Sequence, residues 1–237
     1  MSINGGKLNM EHRLWLVWKE PKERRRFIIG ELVYKNDKYI FKYIDPELNS
    51  ARKKGLDFFP GFDDIKKEYI SDTGLFPNIE TRLPNKARPE YLEILNLFDL
   101  DVNASEIEIL EKTKGRLLTD NFEFVPIFDK NKIEFEVAGT SHSKEIKNNK
   151  NIFEINDDLL LERDYNNKYD EYAIKVVCTK NGKNFFLGYV PRYYSKELSE
   201  MLEKKVQYSA KIKYINFESK INDDDITANV KLIFNNK

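Results

Sequence analysis

A polar loop between two β-type runs holds the residue types in this chain that are best suited to binding chemistry. Residues 163–170 read RDYNNKYD and include Asn167, Lys168, Tyr169 and Asp170. Tyrosine rings stack on nucleobases, and cations contact phosphates. A carboxylate beside a polyanion weakens binding unless it accepts a hydrogen bond, so Asp170 suits a hydroxyl-bearing end better than a continuous phosphate backbone. The alternative is that Tyr169 and Asp170 close a turn, with Asp170 bonded to its own backbone.

The sequence around this loop predicts the sheet that positions it. The apolar run 159–161 leads into the loop, and residues 173–177 (AIKVV) lead out of it. Asn181 and Gly182 then separate this run from residues 185–190 (FFLGYV), which is the strongest local signal of a β-hairpin. Tyr189 and Arg192 lie where the returning strand ends, and loops on a rigid sheet often carry function. Core packing is the equally weighted alternative for Tyr189 and for Phe135.

Composition excludes several classes of function. The 237 residues include 40 Lys and Arg and 40 Asp and Glu, so the net charge is zero and a protein that coats duplex DNA is not expected. The single cysteine, Cys178, excludes an internal disulfide. No long apolar segment and no signal-peptide pattern occur, which predicts a cytoplasmic protein without a membrane span.

No cluster in the sequence predicts a metal site, a cofactor or a catalytic group. His12 and His142 are the only histidines, and neither has a partner at metal-ligand spacing. The acidic runs 63–64 and 223–225 are interpreted as solvated turns rather than cation ligands. The clustered acids and lysine of a nuclease are also missing. The sequence therefore predicts a protein that is not an enzyme and binds no cofactor.

The first half of the chain predicts an antiparallel sheet with helices. Strands are predicted at residues 14–18, 27–34, 38–44 and 121–126, and helices at residues 45–54, from Pro89 onward and at 105–114. Ser105 followed by Glu108 is a capping box, and Gly115 ends that helix. The triple arginine at residues 24–26 is interpreted as a solvated loop, with a phosphate contact as the alternative.

The second half begins after a polar break at residues 129–132 (DKNK), which is the predicted domain boundary. Strands are predicted at residues 133–139, 206–217 and 226–234, with a turn at 222–225. Residues 140–150 predict a polar, basic loop. A helix capped by Ser195 follows Arg192.

Four segments of the first half resemble the N-terminal subdomain of the HipA-type toxin kinases. They are GELVYKNDKYIFKY (30–43), LDFFPGFDD (56–64), LFPNIETRLPNKARPEY (75–91) and ILEKTKGRLLTDNFEFVP (109–126). The resemblance covers about residues 14–126. The chain contains no Gly-rich phosphate loop and no His-Arg-Asp catalytic loop, so kinase activity is not implied. What the resemblance implies is a protein-interaction module.

The second half resembles the HIRAN domain on three segments. They are FEVAG (135–139), LLLERDYNNKYDEYAIKV (159–176) and LGYVPR (187–192), within a similarity that covers about residues 133–234. The resemblance implies a small β-barrel-like sheet with one helix. It also implies binding of single-stranded DNA, because the helicase-linked members of the family grip a 3′-hydroxyl end.

The HIRAN resemblance also implies a role for each matched residue. Asp170 would accept a hydrogen bond from the terminal hydroxyl, and Tyr169 would stack on the last base. Arg192 would lie near a phosphate, and Tyr189 would take the place of an imidazole or aromatic group. The full set of expected contact residues is Phe135, Val137, Asn167, Lys168, Tyr169, Asp170, Tyr189 and Arg192. The strand at 135–137 departs from the helicase-linked members, which have basic and aromatic residues there.

Together these patterns predict an α+β protein of two small domains. Residues 10–129 form the HipA N-terminal-like domain, and residues 130–237 form a HIRAN-like β-barrel with one helix. The predicted function is non-enzymatic recognition of single-stranded DNA or DNA ends through the second domain. The alternative is an antitoxin-like or defence-system interaction module, whose partner is a kinase or a DNA-processing enzyme bound through the first domain.

Overall fold

The computed structural model describes residues 11–45, 47–140, 143–216 and 227–234. The chain divides into two compact units, residues 1–127 and 128–237. His142 and the acidic run 223–225 lie outside the described residues. Among the described residues, no helix is both long and apolar enough to cross a membrane.

The first unit is an antiparallel sheet with four short helices. Its strands are β1 (His12–Lys19), β2 (Arg26–Lys35), β3 (Lys38–Tyr43), β4 (Tyr69–Ser71) and β5 (Phe122–Pro126). Its helices are α1 (Glu47–Lys53), α2 (Pro77–Glu80), α3 (Tyr91–Leu97) and α4 (Glu106–Thr113). The strand order is β4-β3-β2-β1-β5, and all four pairings are antiparallel. Asn36 and Asp37 both have positive φ, as a two-residue hairpin turn between β2 and β3 requires.

Aromatic rings fill the core of the first unit. Phe41 stacks on Phe62 at 4.3 Å between ring centroids, and Phe59 contacts Phe122 edge-on at 4.9 Å. The capping box predicted at the start of α4 is confirmed, because Ser105 and Glu108 bond reciprocally. The ring contacts of Phe59 and Phe62 hold the aromatic Pro-Gly loop at 58–62 against the sheet.

A buried carboxylate ties β5 to the rest of the first unit. The Glu123 side chain is 5% exposed and accepts hydrogen bonds from Arg26 Nε and Arg116 Nε, both at 2.8 Å. Burial on its own raises the pKa of Glu123, but the attraction of Arg116 and Arg26 outweighs burial and holds that pKa far below its usual range. Arg26, from the triple arginine, is therefore part of a structural ion network.

In the residues that the structure describes, the second unit contains two three-stranded sheets and two α-helices. Its strands are β6 (Lys132–Glu136), β7 (Leu159–Arg163), β8 (Ile174–Lys180), β9 (Lys183–Tyr189), β10 (Tyr208–Asn216) and β11 (Thr227–Phe234). Its helices are α5 (Lys144–Asn148) and α6 (Arg192–Glu203), with a short 3₁₀ helix at Lys150–Ile152. One sheet has the order β10-β11-β6 and the other β7-β8-β9.

The prediction of a β-barrel needs correction. Isolated bridges join the two sheets at Ala138–Tyr189 and at Asp158–Lys211, but within the described residues no continuous ladder closes around them. The fold of this unit is therefore a mixture of two antiparallel sheets and short helices.

Two local predictions in the second unit are wrong. Residues 140–150 were expected to form a loop, but α5 lies within them because Ser143 caps the helix and Ile146 is fully buried. Ser195 was expected to cap the following helix. Instead α6 begins at Arg192, after Pro191, and the Ser195 hydroxyl donates to the Arg192 carbonyl at 2.8 Å. Pro191 occupies the N-cap position, and no side chain caps this helix.

Candidate functional site

The loop between β7 and β8, residues 164–173, is the centre of the site and is called the tyrosine loop below. Asp164 N donates to the Ala173 carbonyl at 2.9 Å, and Ala173 N donates to the Asp170 carbonyl at 3.1 Å, so the loop is closed at its base. Within the loop, Asn167 Oδ1 accepts from the backbone N–H groups of Tyr169 at 2.9 Å and Asp170 at 3.1 Å. An asparagine that bonds the backbone two and three residues on fixes a tight turn.

Two arginines brace the tyrosine loop from outside. Arg163 donates to the carbonyls of Ala173 and Glu171, both at 3.1 Å, and its guanidinium lies 5.0 Å from the centroid of the Tyr165 ring. Arg192 Nη1 donates to the Tyr169 carbonyl at 2.9 Å. Arg192, at the start of α6, therefore holds the far side of the loop in place.

A hydrogen-bonded tyrosine links the loop to β9. The Tyr189 hydroxyl donates to Asp164 Oδ2 at 2.9 Å, and Lys175 Nζ lies 3.6 Å from Asp164 Oδ1. Burial, followed by the bond to Asp164, raises the pKa of Tyr189. Burial opposes ionisation of Asp164, but the bond from Tyr189 and the charge of Lys175 prevail and lower its pKa.

Two tyrosine rings stand out from this braced loop into solvent. Tyr165 is 75% exposed and Tyr169 is 87% exposed, whereas the backbone beneath them is held by the bonds described above. Lys168 is exposed between them. The arrangement presents two aromatic faces and a cation on a surface that is ordered before any ligand arrives.

The structure brings together six of the eight residues that the sequence pointed to. Asn167, Lys168, Tyr169 and Asp170 lie on the tyrosine loop, while Tyr189 and Arg192 contact it through Asp164 and the Tyr169 carbonyl. The roles of these six residues toward a ligand stay predictions.

Two of the eight lie in the protein core. Phe135 is 3% exposed and packs against the ring of Tyr194, with 6.3 Å between centroids. Val137 is 4% exposed and lies under Gly188, where an added Cβ would be 2.7 Å from Val137 Cγ1. The expected lining of a pocket by this strand is corrected accordingly: both side chains are buried in the core, which is the alternative that the sequence left open for Phe135.

Asp170 makes the turn contact that the sequence left open as an alternative. Its Oδ1 accepts from Tyr172 N at 3.0 Å and lies 3.9 Å from Arg192 Nη1, and the side chain is 15% exposed. A carboxylate has about four acceptor positions, so this contact leaves capacity for a hydroxyl donor.

Sequence analysis missed three of the residues that hold the loop. Arg163 precedes the loop and Asp164 begins it, in the segment RDYNN, and Lys175 lies across β7 and β8 from Glu162. The alternation of side chains along β8 places Lys175 on the outer side of the sheet, and this pattern in the sequence could have indicated that Lys175 belongs to the site. Nothing local in the sequence shows that Arg163 would reach the carbonyls of residues 171 and 173.

A shallow cavity of about 340 Å³ lies beside Tyr189 on the outer face of the β7-β8-β9 sheet. Its lining residues are Glu145, Glu162, Lys175, Val177, Asn184, Phe186 and Tyr189. The Phe186 ring meets the Tyr189 ring edge-on at 5.1 Å. No group of three or more potential metal-ligating side chains occurs in the part of the chain that the structure describes.

Comparison with known proteins finds a similarity that is confined to the second half of the chain. Residues 130–230 match the family model of the HIRAN domain. We call them the HIRAN region. The HIRAN domain of human HLTF is similar at 21% identity and a TM-score of 0.34, over 44% of this chain and 74% of that one.

A protein from Lactobacillus plantarum is similar at 19% identity and a TM-score of 0.32, over 42% of this chain and 91% of that one. No curated protein matches the chain. The family match includes the whole tyrosine loop. It also includes the two residues that hold the loop from outside, Tyr189 at the end of β9 and Arg192 at the start of α6.

Proposed function

We propose that the HIRAN region is a non-enzymatic module that binds single-stranded DNA, with a preference for an exposed strand end. One observation carries the proposal: Tyr165 and Tyr169 are exposed on a loop whose backbone is fixed by Arg163, Asn167 and Arg192. Exposed tyrosine rings that are grouped on one rigid surface are typical of interaction sites. Stacked bases cover such rings.

The braces raise the affinity that two tyrosines can provide. Stacking of a base on an aromatic side chain contributes roughly 1–3 kcal/mol. A loop that is ordered in the free protein loses little conformational entropy when it binds, so more of that stacking energy appears as affinity. Lys168 and Lys175 add local positive charge for phosphates, although the whole chain has none in excess.

The carboxylates of the loop favour an end over a continuous strand. Asp164 and Asp170 both lie in the tyrosine loop. Lys175 at 3.6 Å and Arg192 at 3.9 Å offset their charges only in part, so each carboxylate still disfavours a nearby phosphate. A terminal hydroxyl, in contrast, donates to a carboxylate and gains a charge-assisted hydrogen bond. The loop therefore suits a strand that stops at the site.

Fluorescence anisotropy with short single strands tests this proposal. The strands end in a 3′-hydroxyl, a 3′-phosphate or a 5′-phosphate, and the expected order of affinity puts the free 3′-hydroxyl first. Asp170→Asn keeps an oxygen for Tyr172 N but removes the charge, so it should reduce discrimination against the 3′-phosphate. Equal and weak binding of all strands, unchanged by Tyr169→Ala and Asp170→Ala, would contradict the proposal.

A second candidate function is protein interaction through the first unit, which we infer from its exposed apolar side chains. Leu92, Leu97, Val102 and Leu118 are 55%, 60%, 62% and 98% exposed. A partner such as a kinase or a DNA-processing enzyme would cover them, as the resemblance to the HipA-type subdomain implies. Co-expression with the products of adjacent genes tests this function. Leu118→Asp should abolish co-purification, whereas Leu160→Asp in the second unit should not.

The proposed compartment is the cytoplasm. The single thiol, Cys178, is buried in β8, and burial raises its pKa to about 11, so it stays a protonated core group. A protein that needs no disulfide suits a reducing compartment.

A further inference from the structure

The cavity beside Tyr189 has an apolar floor and a polar rim. Val177 is 5% exposed, and the half-buried rings of Phe186 and Tyr189 complete the floor on the same outer face of the β7-β8-β9 sheet. Apolar surfaces that contain aromatic rings accept planar aromatic ligands. A volume of about 340 Å³ is at the small end of ligand pockets, which suits one nucleobase better than a large cofactor.

The rim of the cavity carries one carboxylate that has no partner. Glu162 is exposed, and among the described residues it makes no hydrogen bond and no ion pair. Lys175 is its cross-strand neighbour, but Lys175 Nζ approaches Asp164 instead, at 3.6 Å. The most direct neutralising partner of Glu162 is therefore engaged in holding the tyrosine loop.

The other polar groups on the rim are already oriented by the protein. Glu145 accepts a hydrogen bond from the backbone N–H of Phe186, which fixes it between α5 and β9. Asn184 Oδ1 accepts from the Thr179 hydroxyl at 2.8 Å, so the amide NH₂ of Asn184 is left as a donor. The rim thus offers a free carboxylate acceptor from Glu162 and an amide donor from Asn184.

From this chemistry we propose that the cavity holds a nucleobase of the bound strand and that Glu162 selects bases with an exocyclic amino group. Cytosine presents an amino donor beside a ring nitrogen and a carbonyl acceptor, which complements Glu162 and Asn184. Thymine presents one carbonyl oxygen, O4, where cytosine has its amino group, and a carboxylate repels that oxygen. This inference rests on the proposed binding of single-stranded DNA and names Glu162 as its specificity-determining residue.

Affinities of the full chain for oligo(dC) and oligo(dT) of equal length test the inference. A good side-chain contact to a base edge discriminates by about tenfold or more, so oligo(dC) should bind about tenfold more tightly. Glu162→Gln supplies both a donor and an acceptor, and it should reduce this ratio toward one while the protein stays folded. Glu200→Gln removes an exposed carboxylate from α6 and should leave the ratio unchanged.

The outcomes separate the inference from the function on which it rests. Weaker binding by Tyr165→Ala and Tyr169→Ala supports single-strand binding. If, in addition, the oligo(dC) to oligo(dT) affinity ratio is near one in wild type or is unaffected by Glu162→Gln, single-strand binding stands and the base selection is overturned. If neither homopolymer binds, both are overturned. A ratio that falls only in Glu162→Gln supports the inference.

Discussion

At the scale of single residues, the site separates groups that contact solvent from groups that hold them in place. Arg192 and Tyr189 end in hydrogen bonds to the tyrosine loop, at the Tyr169 carbonyl and at Asp164. Tyr165 and Tyr169 make the exposed surface. A binding surface built in this way relies on few contact residues, so substitutions of the exposed and the bracing residues should have different consequences.

Removal of either exposed tyrosine should weaken binding without affecting stability. Tyr165→Ala and Tyr169→Ala each lose one stacked base, which corresponds to roughly 1–3 kcal/mol of binding free energy, while Phe at either position retains it. The free energy of unfolding should change by less than about 0.5 kcal/mol because both rings are in solvent. Anisotropy titration and urea denaturation measure the two quantities. Tyr214→Ala, a 38% exposed tyrosine on the other sheet, is the control; an equal loss of affinity there would contradict the assignment.

Glu123 should show the opposite behaviour, with a large effect on stability and none on binding. Glu123→Gln leaves the charges of Arg26 and Arg116 without their buried partner, and we expect a loss of about 3 kcal/mol in the free energy of unfolding. Glu23→Gln, whose side chain is 60% exposed in its pair with Lys54, should cost less than about 1 kcal/mol. Chemical denaturation at neutral pH measures both.

The stability that Glu123 contributes should also depend on pH with a defined sign. Its pKa is lowered in the folded state, so the contribution is fully present above the ordinary glutamate pKa of about 4.3 and is lost as pH falls through the folded-state value. The stability curves of wild type and Glu123→Gln should therefore converge in acid. Curves that stay parallel down to acid unfolding would show that Glu123 is not the ionised centre of the network.

At the scale of elements, sequence patterns located nearly every strand, because alternation and turn residues are local signals. The Asn181–Gly182 pair gave the β8–β9 turn, and both residues have positive φ. The start of α6 and the short α5 were missed, since each depends on a tertiary contact: Arg192 meets the tyrosine loop, and Ile146 is buried. For the same reason the loop residues and Arg192 were found, but the hydrogen bonds by which Arg163 and Arg192 brace the loop were not.

Gly188 explains why a glycine precedes Tyr189 in the segment LGYVPR. Its φ is +152°, and an added Cβ would lie 2.5 Å from the Ala138 carbonyl oxygen. The backbone of β9 approaches this closely because Tyr189 N donates to that same carbonyl at 2.8 Å. The glycine thus lets the end of β9 reach the chain after β6, and it sets the position of Tyr189.

Gly188→Ala should therefore destabilise the second unit more than a comparable substitution in open space. We expect a cost of about 3 kcal/mol for Gly188→Ala, from backbone strain together with the clash, and about 1 kcal/mol for Gly182→Ala. Gly182 also has positive φ, but nothing lies within 4 Å of its added Cβ. The difference between the two variants in the free energy of unfolding, measured by urea denaturation, gives the energetic cost of the close approach. Equal costs would mean that backbone conformation alone makes Gly188 necessary.

At the scale of the whole molecule, a chain with 40 basic and 40 acidic residues has no long-range attraction for nucleic acid. Binding must then come from local contacts, and its dependence on salt should be shallow compared with that of proteins that neutralise many phosphates. This agrees with a site built from aromatic rings and a few cations. It also means that the first unit need not add charge for the second to work.

The two units should accordingly be separable. The large aromatic core cluster, which includes Phe41, Phe59 and Phe124, lies within residues 1–127, whereas Phe135 and Tyr194 pack within residues 128–237. A unit with its own buried core can fold alone. We expect residues 128–237, expressed alone, to unfold cooperatively in urea and to bind a single strand with the affinity of the full chain.

Residues 1–127 are the matched control for this experiment and should fold without binding the strand. Circular dichroism and anisotropy on the three proteins distinguish the possible results. If residues 128–237 fold but bind more than about tenfold more weakly than the full chain, a difference of about 1.4 kcal/mol, the first unit takes part in recognition. In that case the tyrosine loop would be one part of a larger site. The interaction surface of the first unit would then bind nucleic acid rather than a protein partner.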